Sequence, residues 1–479
     1  MTDVVVAGAG PTGLLLAGDL ASAGIDVTLV ERRTEESNLT RAFAVHARTL
    51  EQLDARGLAE RVIETGNTID RLRVFSRASV DLRSLPSRFP FVLVTPQYSV
   101  ERVLEDRATR AGARILRGLA VRGLTQDDGG VTVECEDTAG DRPQLRASYL
   151  VGTDGHHSAV REALGLDFPG EAVVRSLVLA DVRMSDPPAE LLNFNANGHG
   201  FFFVVPFGDG WFRVITRDPD RELPDDAPVD MPEVVEMARR VVGTDYGMHD
   251  PRWMSRFHSD ERQVRRYRVG RVFLAGDAAH VHSPAGGMGM NTGIQDSANL
   301  GWKLAAVLNS GADRRILDSY HQERHPVGRM VLRTSGGLIR AALLRRAPAR
   351  ALRDAAAGMA LRLPPVTRRL ALRVSGLDIA YRAPSGAQRP VGSRAADTVG
   401  LDGRRLYEVL RSGRFALVAP PAFHPGDLNG HVERLQVREG VPLLVRPDGY
   451  VGWSGGDAAD LRAALRTWGG LEPDERSIG

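Results

Sequence analysis

A single cysteine, Cys135, stands in the 479 residues, which excludes an internal disulfide, a CxxC redox pair and any thiolate metal cage. Such usage suits a reducing compartment, and the cytoplasm is the expected location. Lysine is as scarce: Lys303 is alone, and arginine carries every other basic side chain. Coding bias accounts for the arginines without a physical need at each site, and Lys303 itself has no evident role. No apolar run is long enough to span a bilayer and no basic leader precedes the first apolar segment, so neither a transmembrane helix nor an export signal is expected. An excess of one charge is also lacking. The 62 basic and 60 acidic residues leave a formal +2, and no basic block of the kind that grips nucleic acid is present. Neither nucleic acid nor membrane is an expected partner. What remains, 43% apolar and 25% charged residues, is ordinary for a globular chain with room for about two or three domains.

Residues 3–32 read DVVVAGAGPTGLLLAGDLASAGIDVTLVER. They parse as a strand over Val4–Ala7, a glycine turn, a helix stopped at Gly24, and a second strand over Val27–Val30. Gly8, Gly10 and Gly13 have the spacing GxGxxG. The first glycine permits a tight turn, the second lets backbone approach a pyrophosphate, and the third lets helix pack on strand. Pro11 and Thr12 open the helix, whose free N–H groups and positive dipole end suit a diphosphate. Glu31 ends the second strand where an acid accepts hydrogen bonds from an adenosine ribose. The pattern points to a dinucleotide and does not choose between FAD and NAD.

Much later, RVFLAGDAAHVHSPAGGMGMNTGIQDSANLGWKLA runs an apolar strand (Val272–Ala275) into Gly276 and Asp277, then through a glycine-rich loop to a helix expected from about Thr292. His280 and His282 raise the question of a metal. Alternation along an extended segment would put both imidazoles on one side, but no third ligand follows at suitable spacing. Pro284 and the glycines point instead to close backbone approach, so no metal site is expected.

Three motifs in order, GAGPTG, VGTDGHHSAVR at 151–161 and the loop from Gly276, resemble the FAD fingerprints of the para-hydroxybenzoate hydroxylase-like flavin monooxygenases. TRAFAVHARTLEQLDARGL from Thr40, PQYSVERVLEDRA from Pro96, LDSYHQERHPVG from Leu317 and RPDGYVGWSG from Arg446 extend the similarity over nearly the whole chain. It looks nearest to the aromatic polyketide hydroxylases of angucycline and anthracycline type, with rifamycin- and tetracycline-modifying monooxygenases similar too.

The resemblance implies an α/β fold with a Rossmann-like FAD-binding domain (1–72, 97–168 and 262–330) and an inserted antiparallel β-sheet substrate domain (73–96 and 169–261). A helical connector (331–380) and a thioredoxin-like C-terminal domain without CxxC (390–479) follow. It implies that Gly8, Gly10, Gly13 and Glu31 hold the ADP half of FAD with Arg32 beside them. Arg41 and Gln97 would contact the pyrophosphate and ribityl region, and Asp154 would bridge FAD and NADPH. Asp277, following Gly276, would bind the ribityl chain or pyrophosphate. Pro284 and the backbone of Gly286, Gly287, Met288, Gly289, Met290 and Asn291 would line the isoalloxazine ring. Met288 departs from relatives that carry Gln there, which bears on ring mobility and local polarity rather than on binding. Arg41, Pro284 and Gly289 are the candidates for a direct part in catalysis.

The implied chemistry is NAD(P)H-driven reduction of FAD, reaction with O2 to a flavin C4a-hydroperoxide, and hydroxylation of a polycyclic phenol or naphthoquinone. Such a site needs backbone N–H groups at the ring, an apolar pocket and exclusion of water. Baeyer–Villiger oxygen insertion and epoxidation use the same loop and stay open, as does a non-oxygenating NADPH-dependent flavoprotein reductase. With one GxGxxG between strand and helix, NADPH is expected to bind transiently at the flavin edge.

LVLADVRM, GFFFVVPF and GWFRVITR read as strands of the second domain, the last two joined at Gly208. Phe201, Phe203 and Val205 alternate with Phe202, Val204 and Pro206, so one set faces a ligand and the other a core, without the pattern saying which. Phe203, Phe207, Trp211 and Arg213 are the substrate candidates. Residues 331–375 read as helix with a solvated Arg face, and the tail as a structural or dimer-contact module, the protein being a monomer or homodimer.

Overall fold

The computed structural model describes residues 2–35, 42–74, 78–188, 193–207, 210–344, 346–384, 386–387, 389–426, 428, 430 and 432–469. It is a mixed α/β architecture. The first strand, Thr2–Ala7, lies parallel between Val27–Glu31 and Gln144–Gly152. Arg114–Arg117 adds beyond the former and Val272–Leu274 beyond the latter, both parallel. A hairpin, Leu119–Asp127 with Gly130–Asp137, extends the sheet antiparallel. The central strands are buried runs of valine and leucine, as a sheet covered on both faces requires. Pro11 starts the glycine-turn helix (Pro11–Ser22) with a fixed φ and no N–H to waste, and Gly24 closes it at φ 80°.

The second sheet has six strands in the order Asn193–Asn197, Gly200–Pro206, Phe212–Arg217, Gly170–Met184, Met248–Gln263 and His280–Val281. The last of these belongs to the late glycine loop, so that loop forms the seam between the two large sheets. Helix Met231–Val242 covers one face and buries Phe202, Val204, Val178 and Val214. The opposite face turns Phe201, Phe203, Leu179 and Ile215 toward Phe43, Ala285 and Ile339. The alternation left open in the sequence is thus resolved: Phe202 and Val204 are core, and Phe203 looks toward the loop. The expected turn at Gly208 lies outside the described residues.

Beyond the loop come four helices. The loop helix spans Met288–Asn309, the clamp helix spans Asp318–Ala342, and an outer pair spans Ala347–Ala360 and Pro364–Val374. The outer pair keeps much of the expected solvated Arg face, with Arg346, Arg362, Arg368 and Arg369 exposed. Arg353 turns inward to the carbonyl of Ala341 at 2.9 Å, capping the clamp helix, while Leu352 and Met359 point to solvent. The tail forms a four-stranded sheet with helix Ala458–Gly469. None of the described helices is long and apolar enough to cross a membrane.

Candidate active site

At the glycine turn, Gly8 has φ 104°, and a Cβ there would sit 2.5 Å from the Thr153 carbonyl oxygen. A Cβ on Gly13 would sit 2.0 Å from the Gly8 carbonyl oxygen, so both glycines let backbone meet backbone. A Cβ on Gly10 would meet nothing within 4 Å, so open space lies at the N-terminus of the glycine-turn helix. Glu31 is buried, and its carboxylate accepts from Ala9 N–H at 2.7 Å and from Arg33 backbone N–H at 2.9 Å and Nε at 3.0 Å. Burial alone would raise the Glu31 carboxyl, but the Arg33 pair and the N–H donors hold it below its ordinary value. Arg33, not the exposed Arg32, is the guanidinium beside it. Gln97 opens helix Gln97–Arg110, takes Ala42 N–H on its Oε1 at 3.0 Å and donates to Glu101, whose carboxyl burial pushes up to about 7. Across the turn, Asp154 Oδ2 accepts from Val160 N–H at 3.1 Å, while its buried Oδ1 has no partner. Burial raises the Asp154 carboxyl.

The late loop begins with Gly276 at φ 59°, where a Cβ would press on Thr12 Oγ1 at 2.7 Å. Asp277 is exposed at the tip of a single turn. Behind it the buried Asp296 accepts from Gly276 N–H at 3.1 Å, His280 Nε2 at 2.7 Å and Arg324 Nε at 2.7 Å. His280 is therefore held by a carboxylate and stacks on Tyr267. His282 donates from Nδ1 to the Ser283 carbonyl at 2.9 Å. Its Nε2 is buried without a partner, 3.5 Å from where a Gly289 Cβ would be. Burial keeps His282 neutral by lowering its pKa. Among the described residues no three His, Cys, Asp or Glu side chains converge as a metal site.

Pro284 carbonyl accepts from Gly287 N–H, and Gly286 and Gly287 follow at φ 83° and 61°, a left-handed pair that only glycine adopts without strain. Asn291 ties the loop to the segment after Ala42: Oδ1 accepts from His46 N–H at 2.8 Å and Nδ2 donates to the Ala44 and Gly287 carbonyls. Met288 and Met290 are buried, Met288 among Val327, Val331 and Tyr381, so the loop presents backbone rather than these side chains to the open side.

The loop helix starts at Met288, four residues before the expected Thr292. Gly289, a loop residue on that expectation, lies in the first turn of this helix, while Gly293 serves close helix packing. A Cβ on Gly293 would lie 2.2 Å from Thr12 Oγ1. At its far end Lys303 Nζ donates to Asn299 and Glu323, each at 2.8 Å. Glu323 takes both arms of Arg446, at 2.6 and 2.9 Å, and Arg446 also binds Asp448. Burial lowers the Lys303 amine to about 8. The lone lysine is thus a rivet between the loop helix, the clamp helix and the tail.

Of the substrate candidates, Phe203 alone reaches the loop side, its ring 5.5 Å from that of Phe43. Phe207 is buried, and Arg213 is fully enclosed, bound to Asp181 at 2.5 and 2.9 Å and flanked by the rings of Phe207 and Trp253. That pairing leaves the Arg213 guanidinium no surface for a ligand. Trp211 lies beneath Arg183 and Arg252. Arg41 lies outside the described residues. Sequence reasoning missed Phe43, His46, Asp296 and Arg324. All four stand inside quoted motifs, but Asp296 and Arg324 lie on helices whose faces only packing reveals.

Residues 1–335 match the family described as FAD binding domain, and 388–471 match the C-terminal region of aromatic-ring hydroxylases. The chain belongs to the FAD-dependent aromatic-ring monooxygenases. This monooxygenase is 39% identical to rifampicin monooxygenase of Streptomyces venezuelae, over 98% of its own length and 99% of the relative's. It is 38% identical to the 12-dehydrotetracycline 5-monooxygenase/anhydrotetracycline 6-monooxygenase of Streptomyces rimosus, with the same coverage. The solved structure of the anhydrotetracycline hydroxylase OxyS from Streptomyces rimosus superposes with a TM-score of 0.88 at 36% identity, over 98% of this chain and 100% of that one.

The monooxygenase's residues fit FAD. The uncovered end of the glycine-turn helix at Gly10, the unpartnered Asp154 Oδ1 and the left-handed Gly286–Gly287 pair are the partly unsatisfied, backbone-rich features that FAD would meet at the first turn and at the late loop. A buried acceptor without a donor costs about 1–3 kcal/mol, which a bound ligand's hydroxyl or N–H can recover.

Proposed function

We propose that this monooxygenase uses NAD(P)H and O2 to hydroxylate a polycyclic aromatic polyketide of phenol or naphthoquinone type, in making or modifying an antibiotic. The observation that carries the reading is the apolar wall of Phe203, Phe201, Leu179 and Ile215, which meets Phe43 and Ala285 of the loop segment. Such a wall takes a flat apolar ring system, excludes water and holds it at the loop backbone. Reduced FAD, when bound, would activate O2, one atom of which goes to the substrate and the other to water.

The chain's own residues do the rest. Gly8, Gly10, Pro11, Thr12 and Gly13 bring helix N–H groups to the diphosphate, with Glu31 at the ribose. Gln97 and Asp154 flank the middle of the cofactor, and Asp277 stands at its polyol. Pro284 and the backbone from Gly287 through Asn291 face the flavin ring, with His282 neutral behind Gly289. NAD(P)H reaches the flavin edge without a domain of its own, and Arg41 aids the hydride step. The division into a Rossmann-like FAD domain, an inserted sheet domain, a helical connector and a thioredoxin-like tail belongs to the same reading. It is supported by the two sheets and the four-stranded tail.

Aerobic NADPH consumption over a panel of aromatic polyketides, rifamycins and tetracyclines, with product mass recorded, tests this. The expected result is coupled turnover with gain of one oxygen and an intact ring. Ring opening or expansion would assign oxygen insertion next to a carbonyl instead. NADPH oxidation that persists without O2, given an electron acceptor, would assign a reductase. A product of unchanged mass would move the reading toward ring formation, the activity for which the similar dialkyldecalin synthase of Streptomyces rugosporus is named. Arg41→Ala is expected to slow anaerobic flavin reduction more than oxygen transfer, and the reverse order removes Arg41 from the hydride step.

A further inference from the structure

The outer helix pair exposes large apolar side chains alongside its arginines. Arg353 is spent on the Ala341 carbonyl and Asp354, and the Arg350 guanidinium lies 3.3 Å from where a Gly198 Cβ would be. Leu361, Leu370 and Ala371 pack inward on the main core. On the outside, Leu352 is 71% exposed, Met359 67%, Leu363 54% and Val366 39%. These are four of the eight large apolar side chains exposed among the described residues, so the clustering is not the usual scatter of single surface leucines. Exposed Ala355, Ala356, Pro364 and Pro365 make the ridge continuous. Around it Arg346, Arg362, Arg368 and Arg369 are exposed, and among the described residues none of them pairs with a carboxylate. Asp354 is the one acidic residue between 347 and 374.

We propose that this ridge seats the protein on the surface of an anionic phospholipid bilayer, with Leu352, Met359, Leu363 and Val366 entering below the headgroups and the unpaired arginines on the phosphates. An apolar helical face rimmed by arginine is the composition that lies in a membrane interface. A second copy docked face to face would set unpaired arginines against their own counterparts, which costs affinity. An acidic protein partner would be met by aromatic anchors, and the segment from 343 to 374 contains none. A fluid bilayer needs neither anchors nor shape complementarity, only a few apolar side chains and cationic charge. The location suits the use. Ile339 and Leu343, which lead into the outer pair, share a cluster with Phe201 and Phe203. On the proposed function, the mouth of the ring-binding wall is held beside the phase where an apolar polycyclic molecule collects. The membrane contact itself does not depend on that function.

The test is flotation of the FAD-loaded, full-length protein with vesicles of equal phosphatidylglycerol and phosphatidylcholine, and with phosphatidylcholine alone, without substrate. Association with the anionic vesicles is expected to be at least about tenfold the stronger. Leu352→Ser with Met359→Ser is expected to weaken it about tenfold. Arg368→Glu with Arg369→Glu is expected to erase the preference for phosphatidylglycerol. Both variants should keep the flavin spectrum and the thermal midpoint of the parent, since these side chains face solvent. A parent that floats with neither vesicle overturns the proposal, as do variants that float as the parent does. A lipid-independent dimer dissolved by Leu352→Ser with Met359→Ser would reassign the ridge to self-association and overturn it as well. Turnover of a soluble aromatic substrate, measured separately, tells failure of this contact from failure of the hydroxylase reading.

Discussion

The two ends of the loop helix are built on opposite principles. At its start, His282 Nε2 and His280 Nδ1 are buried without partners, and the left-handed Gly286 and Gly287 lead into the helix with no side chain of their own. At its far end Lys303, Asn299, Glu323, Arg446 and Asp448 are also buried, yet each charge is met by another. Buried polar groups normally find partners. Unsatisfied atoms at one end and a closed network at the other, on a single helix, separate the place where a ligand completes the structure from the place where the structure completes itself.

The largest effect should come from opening the closed end. Arg446→Met leaves Glu323 and Asp448 buried with less compensation, at a cost of about 3–5 kcal/mol. Thermal and denaturant unfolding should report it directly, and an unchanged midpoint would show that the network is solvated and the contrast false.

Next is His46, which bridges the open end. It is buried and its ring reaches the Gly286 backbone, and burial lowers its pKa from 6.5 to about 4. Between those values the unfolded chain binds the proton and the folded one does not, so His46 removes stability as pH falls through 6.5 toward 4, by up to about 3 kcal/mol. Glu101, raised to about 7 by burial, works in the opposite sense, gaining stability as pH falls from 7 toward its ordinary value. The informative measurement is therefore the difference between His46→Gln and parent. The parent's unfolding free energy should fall relative to the variant's as pH drops from 6.5 toward 4, the variant keeping only the opposite slope of Glu101, and parallel curves would place His46 in contact with water.

A paired substitution then sharpens the contrast within one helix. Gly293→Ala drives a Cβ to 2.2 Å from Thr12 Oγ1 and should cost about 1–3 kcal/mol of stability. Gly289→Ala meets only the His282 ring, at 3.5 Å, an ordinary contact. It should leave the apoprotein's midpoint unchanged and lower FAD affinity by at least about tenfold, since the open side is where the flavin ring is proposed to lie. FAD titration by fluorescence quenching decides it, and equal affinity would move the ring elsewhere. The smallest effect is Phe203→Ala, expected to raise KM a few-fold, about 1 kcal/mol, with kcat nearly kept.

Much of the site could be read locally. The strand, glycine turn and helix of the first thirty residues follow from valine runs, GxGxxG and Pro11, and the structure places each element there. The loop helix starts earlier than the sequence suggests because glycine in a sequence signals a turn, while Gly289 sits inside the first helical turn. The arginines of the outer pair read as a solvated face. Arg362, Arg368 and Arg369 are exposed as that pattern implies, while Arg353 turns in to the Ala341 carbonyl, a partner that periodicity does not show. Arg213 stands among the substrate candidates of the sequence, and its partner is Asp181, on a neighbouring strand.

What the sequence determined by itself is what sterics and periodicity act on within a few residues: the parallel-strand runs, the glycine turns and the motif order that marks the family. Only the tertiary structure decided which face of GFFFVVP meets the loop, that Met288 packs away from it, and that Lys303 has a purpose. Those outcomes depend on groups far apart in the chain, Glu323 and Arg446 being 123 residues distant. A buried charge is settled by whichever partner the fold delivers, and no local pattern carries that information.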